Sequence, residues 1–165
     1  MNAAYKTVRR VLPALILAVL APTVNAASCE PGKLDPTKLA LVYQGGAQRL
    51  SELYTISRTA QGGDVDLALQ AQGPMASFSD ATYLIVDLLK LRSTLVNEHD
   101  RALVDGDIRA NLELASDAFV SAESFLAALS PKTQNLALEK AIEAARQQVA
   151  DGIVLYGACV KHPPL

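Results

Sequence analysis

The sequence predicts an all-α protein: an antiparallel up-down-up-down four-helix bundle, with one extra short helix in the first connection and a disulfide joining its ends. Three observations predict it. Apolar residues recur in steps of three and four over long stretches and never alternate convincingly with period two. Cap-plus-proline and glycine signals divide those stretches into segments of similar length. The two cysteines stand near the two ends of the chain that remains once an N-terminal export segment is removed.

That segment comes first in the chain. Lys6, Arg9 and Arg10 precede the apolar run Val11 to Ala21, and the small residues Asn25-Ala26-Ala27 follow. A basic stretch, about a dozen apolar residues and a small-x-small site make residues 1–26 a cleavable signal peptide, with 27–165 as one domain. The run is shorter than the ~20 residues that span a bilayer. Arg9-Arg10 also forms part of a twin-arginine pattern. The protein is thus expected in the periplasm or outside the cell. A lipoprotein anchored through Cys29 is the lesser reading, because Ala26 stands where a larger aliphatic residue is expected.

Each helix has its own evidence. Asp35-Pro36 reads as an N-cap with proline at the first helical position. Leu39, Val42, Gly46, Leu50, Leu53, Ser57 and Ala60 then share a face, up to a stop at Gly62-Gly63. Gly45-Gly46 inside this helix suggests a close helix contact. Asp64 to Gln72 reads as the short helix, closed by Gly73-Pro74. Ser79 caps the next long element, which runs to about Val104. Its seams are Leu84, Leu88, Leu91, Leu95 and Ile85, Leu89, Val96, Leu103, opposite a polar stripe of Asp87, Lys90, Thr94, Asn97 and Arg101. Asp105-Gly106-Asp107 forms a break and a new cap. Ile108, Leu112, Ala115, Phe119, Ala122, Leu126 and Leu129 follow in four-three alternation. Ser130-Pro131 repeats the cap-plus-proline signal, and the last helix carries Leu138, Ile142, Ala145, Val149, Ile153 and Tyr156. Helices of about 24 to 29 residues are each roughly 36 to 43 Å long.

Cys29 and Cys159 are the expected disulfide, since an exported chain with two cysteines most simply pairs them. Antiparallel helices would bring the start of the first and the end of the fourth to the same end of the bundle, where the cysteines could meet. A metal site using Cys159 and His162 is the weaker alternative.

The composition narrows the function. The chain has 15 basic and 17 acidic residues; the signal takes three of the former and none of the latter, leaving −5. No basic face for nucleic acid and no basic amphipathic helix for an anionic membrane is present. Exported four-helix cytochromes with covalent haem need Cys-x-x-Cys-His near the end of the last helix. Here Gly157-Ala158-Cys159-Val160-Lys161-His162 lacks the second cysteine and the adjacent histidine, which excludes covalent haem. His99, His162 and a loop-borne Met75 make no pair of axial ligands on facing helices. Di-metal carboxylate bundles need Glu-x-x-His, which does not occur. Neither a nucleophile elbow nor a phosphate-cradling loop after a strand is found. The expectation is no cofactor, no metal and no enzymatic activity.

Arg92 and His99 are the candidate contacts for a ligand or partner, because both fall on one seam of the 79–104 element, two turns apart. The competing reading is that such residues reach solvent at the seam edge or pair with an acid on the next helix. The expected function is an exported accessory protein that binds another exported protein through a helical surface. The alternative is a carrier for a small apolar ligand between the helices.

Overall fold

The computed structural model describes residues 30–157. The expected signal peptide, Cys29, Cys159 and His162 lie outside the described residues. Four helices account for nearly all of what is described: α1 (Pro36–Thr59), α2 (Gly63–Thr94), α3 (Glu98–Leu129) and α4 (Leu136–Tyr156). Short 3-10 turns at Pro31–Lys33 and Ser130–Lys132 precede α1 and follow α3. Among the described residues there is no strand.

The starts of α1, α3 and α4 each have a polar side chain that accepts from otherwise unpaired N–H groups of the first turn. Asp35 accepts from Thr37 and Lys38, Asn97 from His99, and Asn135 from Ala137 and Leu138. The α1–α2 turn instead depends on Gly62, whose φ of +58° is unfavourable for any residue with a Cβ.

The helices form a square in which α1 packs on α2 and α4, and α3 packs on α2 and α4. Contacts run in opposite chain senses along every side. Tyr43 meets Tyr83 and Gly46 meets Ser79. Phe78 meets Phe119, and Arg92 meets Asp105. Glu123 pairs with Arg146 and Phe119 stacks on Tyr156. Val42 lies against Gly152, and Gly45 against Gln148. This is the pattern of an up-down-up-down bundle.

The core is continuous. Leu39, Val42 and Leu53 from α1 meet Met75, Phe78, Ile85 and Leu89 from α2. The seams expected for α3 (Ile108 to Leu129) and α4 (Leu138 to Tyr156) are buried at every position named. Phe78, Phe119 and Tyr156 form an aromatic centre, with successive ring centroids 5.2 Å apart. Small residues let the backbones approach there. A Cβ on Gly46 would come within 2.8 Å of Ser79 Oγ, and one on Gly152 would meet the Phe78 ring. The close contact expected at Gly45-Gly46 is therefore present.

The middle of the chain departs from expectation. The separate 64–72 helix does not exist, because α2 continues through Gly73-Pro74 and joins it to the next element. Proline at position 74 leaves the Gln70 carbonyl without its helical donor. The buried stripe Ala68, Ala71, Met75, Phe78 spans the interruption and holds both halves against the core. Met75 is accordingly a fully buried helical residue rather than a loop residue. Ser79 is no cap; it is buried mid-helix against Gly46.

The expected break at Asp105-Gly106-Asp107 lies inside α3, and the real turn is Leu95-Val96-Asn97. Asn97 caps α3, the Leu95 N–H closes on the Arg92 carbonyl, and Arg101 Nε donates to the Leu95 carbonyl. Seam residues expected in and beyond this turn are consequently exposed, Val96 at 90% and Leu103 at 59%. Ser130-Pro131 forms a 3-10 turn, and the α4 cap is Asn135.

Candidate functional site

The turn at residues 95–97 separates the two residues singled out from the sequence. Arg92 ends α2 and His99 begins α3, so they do not share a helix face. Arg92 directs Nε and one terminal nitrogen to the two oxygens of Asp105, whose side chain is 16% exposed. That bond raises the Arg92 pKa further, against a smaller opposing effect of burial. The guanidinium also lies beside Gly32, so it joins the N-terminal turn to the α2–α3 hairpin. His99 is exposed. Arg92 thus has the acidic partner on the neighbouring helix that the structural reading of this residue requires.

A different feature stands out on the opposite part of α2. Tyr43, Ala47, Leu50 and Tyr54 recur on α1 at helical spacing and form one wall of a groove. Gln72, Gly73, Ala76, Ser79 and Asp80 of α2 form the other. The groove has a volume of about 660 Å³ and is open along its length. From Tyr43 to Tyr54 it runs about 16 Å at 1.5 Å per residue. Small side chains at Ala47, Gly73 and Ala76 leave the floor low. Tyr43 and Tyr83 meet at one end with centroids 5.3 Å apart, and Tyr54 lies at the other under the Arg58 guanidinium, 5.9 Å from its ring centre.

Two polar atoms in this groove have no hydrogen-bond partner although they are buried: Gln72 Nε2 and Ser79 Oγ. Buried polar groups are ordinarily paired, and leaving one unpaired costs roughly 1 to 3 kcal/mol. The polar rim, unlike these two buried atoms, is open to new contacts. Asp80 and Arg58 are exposed and form no ion pair among the described residues. Asp87 stands one turn from Tyr83, and its carboxylate raises the tyrosine pKa. The remaining buried hydroxyl without a well-formed bond, Tyr156, belongs to the core. Burial pushes its pKa up to about 12, with the neighbouring Thr82 hydroxyl acting in the other direction.

Two lesser hollows flank α2. One of about 330 Å³ lies between α2 and α3 beside Pro74 and Phe125, and a more polar one of about 480 Å³ lies at the α1–α2 turn. In the latter, Asp64 already accepts from Thr133. Of these three hollows, the α1–α2 groove joins an apolar lining to unpaired buried polar atoms and an exposed charge on its rim. Among the described residues no group of three metal-ligating side chains occurs, and no helix is long and apolar enough to cross a membrane.

Sequence reasoning missed this groove for a physical reason. The α1 stripe that faces it is offset by one residue from the core stripe at Val42, Gly46 and Leu53, and includes Leu50, which serves both. Two tyrosines eleven residues apart, the half-buried Tyr43 and the exposed Tyr54, were the available signal. On α2, the reading of Gly73-Pro74 and Ser79 as breaks hid the helical register that aligns Gln72, Ala76, Ser79 and Tyr83. No family model, no curated protein and no solved structure matches this chain.

Proposed function

We propose that this chain is an exported, non-enzymatic accessory protein that binds a protein partner through its α1–α2 face. Residues 1–26 direct export and are removed, and Cys29 and Cys159 close the domain in an oxidising compartment. The observation that carries the binding reading is the α1–α2 groove, with an apolar lining, tyrosines at both ends and two unpaired buried polar atoms. Tyrosines suit protein interfaces because each combines a large apolar ring with a polar tip. The groove's open course favours an extended contact over enclosure of a small molecule.

A photo-crosslinking residue placed at Tyr54 in the exporting cell tests this. The expected result is an adduct with a protein at position 54 and none at Leu114, which is 79% exposed on α3. Equal labelling at both positions, or no protein adduct at position 54, rejects the reading.

The groove volume also supports the alternative of a small apolar ligand, since such sites commonly occupy 300 to 1,000 Å³. Native mass spectrometry of the protein from its own compartment distinguishes the two. A bound mass of a few hundred daltons that is lost on denaturation supports the carrier.

A further inference from the structure

We infer that the partner on the α1–α2 face is an amphipathic helix of another protein, which lies along the groove with a basic side chain against Asp80. This inference rests on the reading of that face as a protein-binding surface and names the chemistry of what binds there.

The argument starts from spacing. On α1 the groove wall is Tyr43, Ala47, Leu50 and Tyr54, in steps of four, three and four. On α2 one outward face carries Leu69, Gly73, Ala76, Asp80 and Tyr83, in steps of four, three, four and three. Such spacing keeps residues on one side of a helix, and it is the spacing with which helices pack against each other. Each helix already has a separate stripe for the core, Leu39, Val42 and Leu53 on α1 and Ala68, Ala71, Met75 and Phe78 on α2. The second pair of stripes borders the groove and its ends.

Exposure agrees with an uncovered packing surface. Tyr54 is 54%, Leu69 52% and Tyr83 50% exposed, while the small residues Ala47, Gly73 and Ala76 keep the middle low. A third helix can settle there at the roughly 8 to 10 Å axis separation of packed helices. An extended segment fits less well. Both walls are helices whose backbone groups are paired within themselves, so a strand would find no partners for its own N–H and C=O groups. A helix arrives with those groups satisfied. The course from Tyr43 to Tyr54 takes about three of its turns.

Charge narrows the partner further. Asp80 is an exposed carboxylate within a stripe of apolar and small residues. Arg58 lies one turn beyond Tyr54, with its guanidinium over that ring. Tyr43 stands beside Tyr83 and Gly46 beside Ser79, so Asp80 is level with residues 45–46 of α1. Arg58 is then roughly 19 Å farther along, the length of about 12 to 13 helical residues. A partner helix with a basic residue against Asp80 and an acid near Arg58 meets both, with apolar side chains between them. A charged position in a packing stripe sets register and partner choice. The exposed stripe of α3, Leu103, Asp107, Ala110, Leu114 and Asp117, has the same spacing but the wrong sign, since its acids would face Asp80. That favours a different protein over a second copy of this chain.

Mapped photo-crosslinking tests the inference. A benzophenone amino acid replaces Ala47 or Tyr54 in the full chain in the exporting cell, and peptide mass spectrometry locates the linked residues. These two positions are about 10.5 Å apart along α1. The expected result is a single segment of one partner, linked at sites about seven residues apart. An extended segment would give sites about three residues apart. With that partner purified, Arg58→Glu and Asp80→Lys should each weaken binding about threefold to tenfold. Both positions are exposed, and circular dichroism checks that each variant is folded. Reversing the facing charge on the partner should restore the affinity.

Sites about three residues apart, sites on another copy of this chain, or binding indifferent to both charge reversals overturns the inference. In each of these cases the protein adduct at position 54 leaves the binding reading standing. No protein adduct at either position removes both.

Discussion

Replacing Gly106 with alanine separates two accounts of the middle of this chain. If Asp105-Gly106-Asp107 were a turn, alanine would at best be neutral and Asp107 would be a helix cap. In the structure, residue 106 lies inside α3 and a Cβ there meets nothing within 4 Å. Alanine in an open helical position stabilises by about 1 kcal/mol relative to glycine, mainly because the unfolded chain has less freedom to lose. For a domain of this size that corresponds to a rise in Tm of about 3 °C. The companion substitutions sharpen the test. Asn97→Ala removes the cap that accepts from the His99 N–H and should cost about 1 kcal/mol. Asp107→Ala should change stability by no more than ~0.5 kcal/mol, as expected of an exposed position with no special role. Urea unfolding at neutral pH with fixed m-value reads all three. A lower Tm for Gly106→Ala, or an Asp107→Ala loss equal to that of Asn97→Ala, would refute the placement of the α2–α3 turn.

The opposite sign is expected at Gly152, where alanine would press on the Phe78 ring and Val42; overpacking of about 1 to 3 kcal/mol should outweigh the gain in helix propensity, read as a lower urea midpoint. Arg92→Ala should cost about 1.5 to 3 kcal/mol in the same assay, because it leaves the mostly buried Asp105 carboxylate without its charged donor. Tyr156→Phe should be near neutral at pH 7 but diverge from wild type in alkali. The folded pKa is raised from 10.0 to about 12, so the wild-type contribution is complete below pH 10 and is lost as pH rises towards 12, by on the order of 2 to 3 kcal/mol. Equal alkaline loss in both proteins, followed by chemical unfolding at several pH values, would contradict that assignment. Glu143 has the reverse sign. Arg146 lowers its pKa, so its stabilising effect is present above the ordinary glutamate range and fades as pH falls through the folded value; Glu143→Gln should therefore flatten the acid limb slightly.

What was legible in the sequence depended on how many surfaces each helix buries. In α3 and α4 every apolar position read from the four-three alternation is buried, and proline with an Asp cap located the start of α1. The middle of the chain was harder because α2 packs against α1, α3 and, across the diagonal, α4. Its buried set therefore includes Ala68, Ala71, Ser79 and Thr82 as well as large apolar residues, and no single stripe dominates. Local signals could then mislead. Gly73-Pro74 has the composition of a terminator, but the packed residues on both sides sustain the helix. Asp105-Gly106-Asp107 has the composition of a turn, but Arg92 engages Asp105 and leaves it no capping role. The true turn did carry a signal, Asn97 followed by Glu98 and Asp100, which is an N-cap with acids in the first turn.

The same cause explains why the site was missed. Arg92 drew notice as a charge on an apolar seam, and its partner is Asp105 on the adjoining helix. The α1–α2 groove has the reverse character: its residues are unremarkable individually and gain meaning only from the helix register. Gln72 and Tyr54 are eighteen positions apart in sequence but level in space, and that follows only if α2 begins at Gly63 and runs unbroken past Pro74. A helix ending at Gln72 would have removed Ala76, Ser79 and Asp80 from the wall opposite α1. The continuity of α2 is therefore the link between fold and proposed function. It packs Ala71, Met75 and Phe78 into the core while presenting Gln72, Ala76 and Asp80 to the groove, so one helix serves both surfaces.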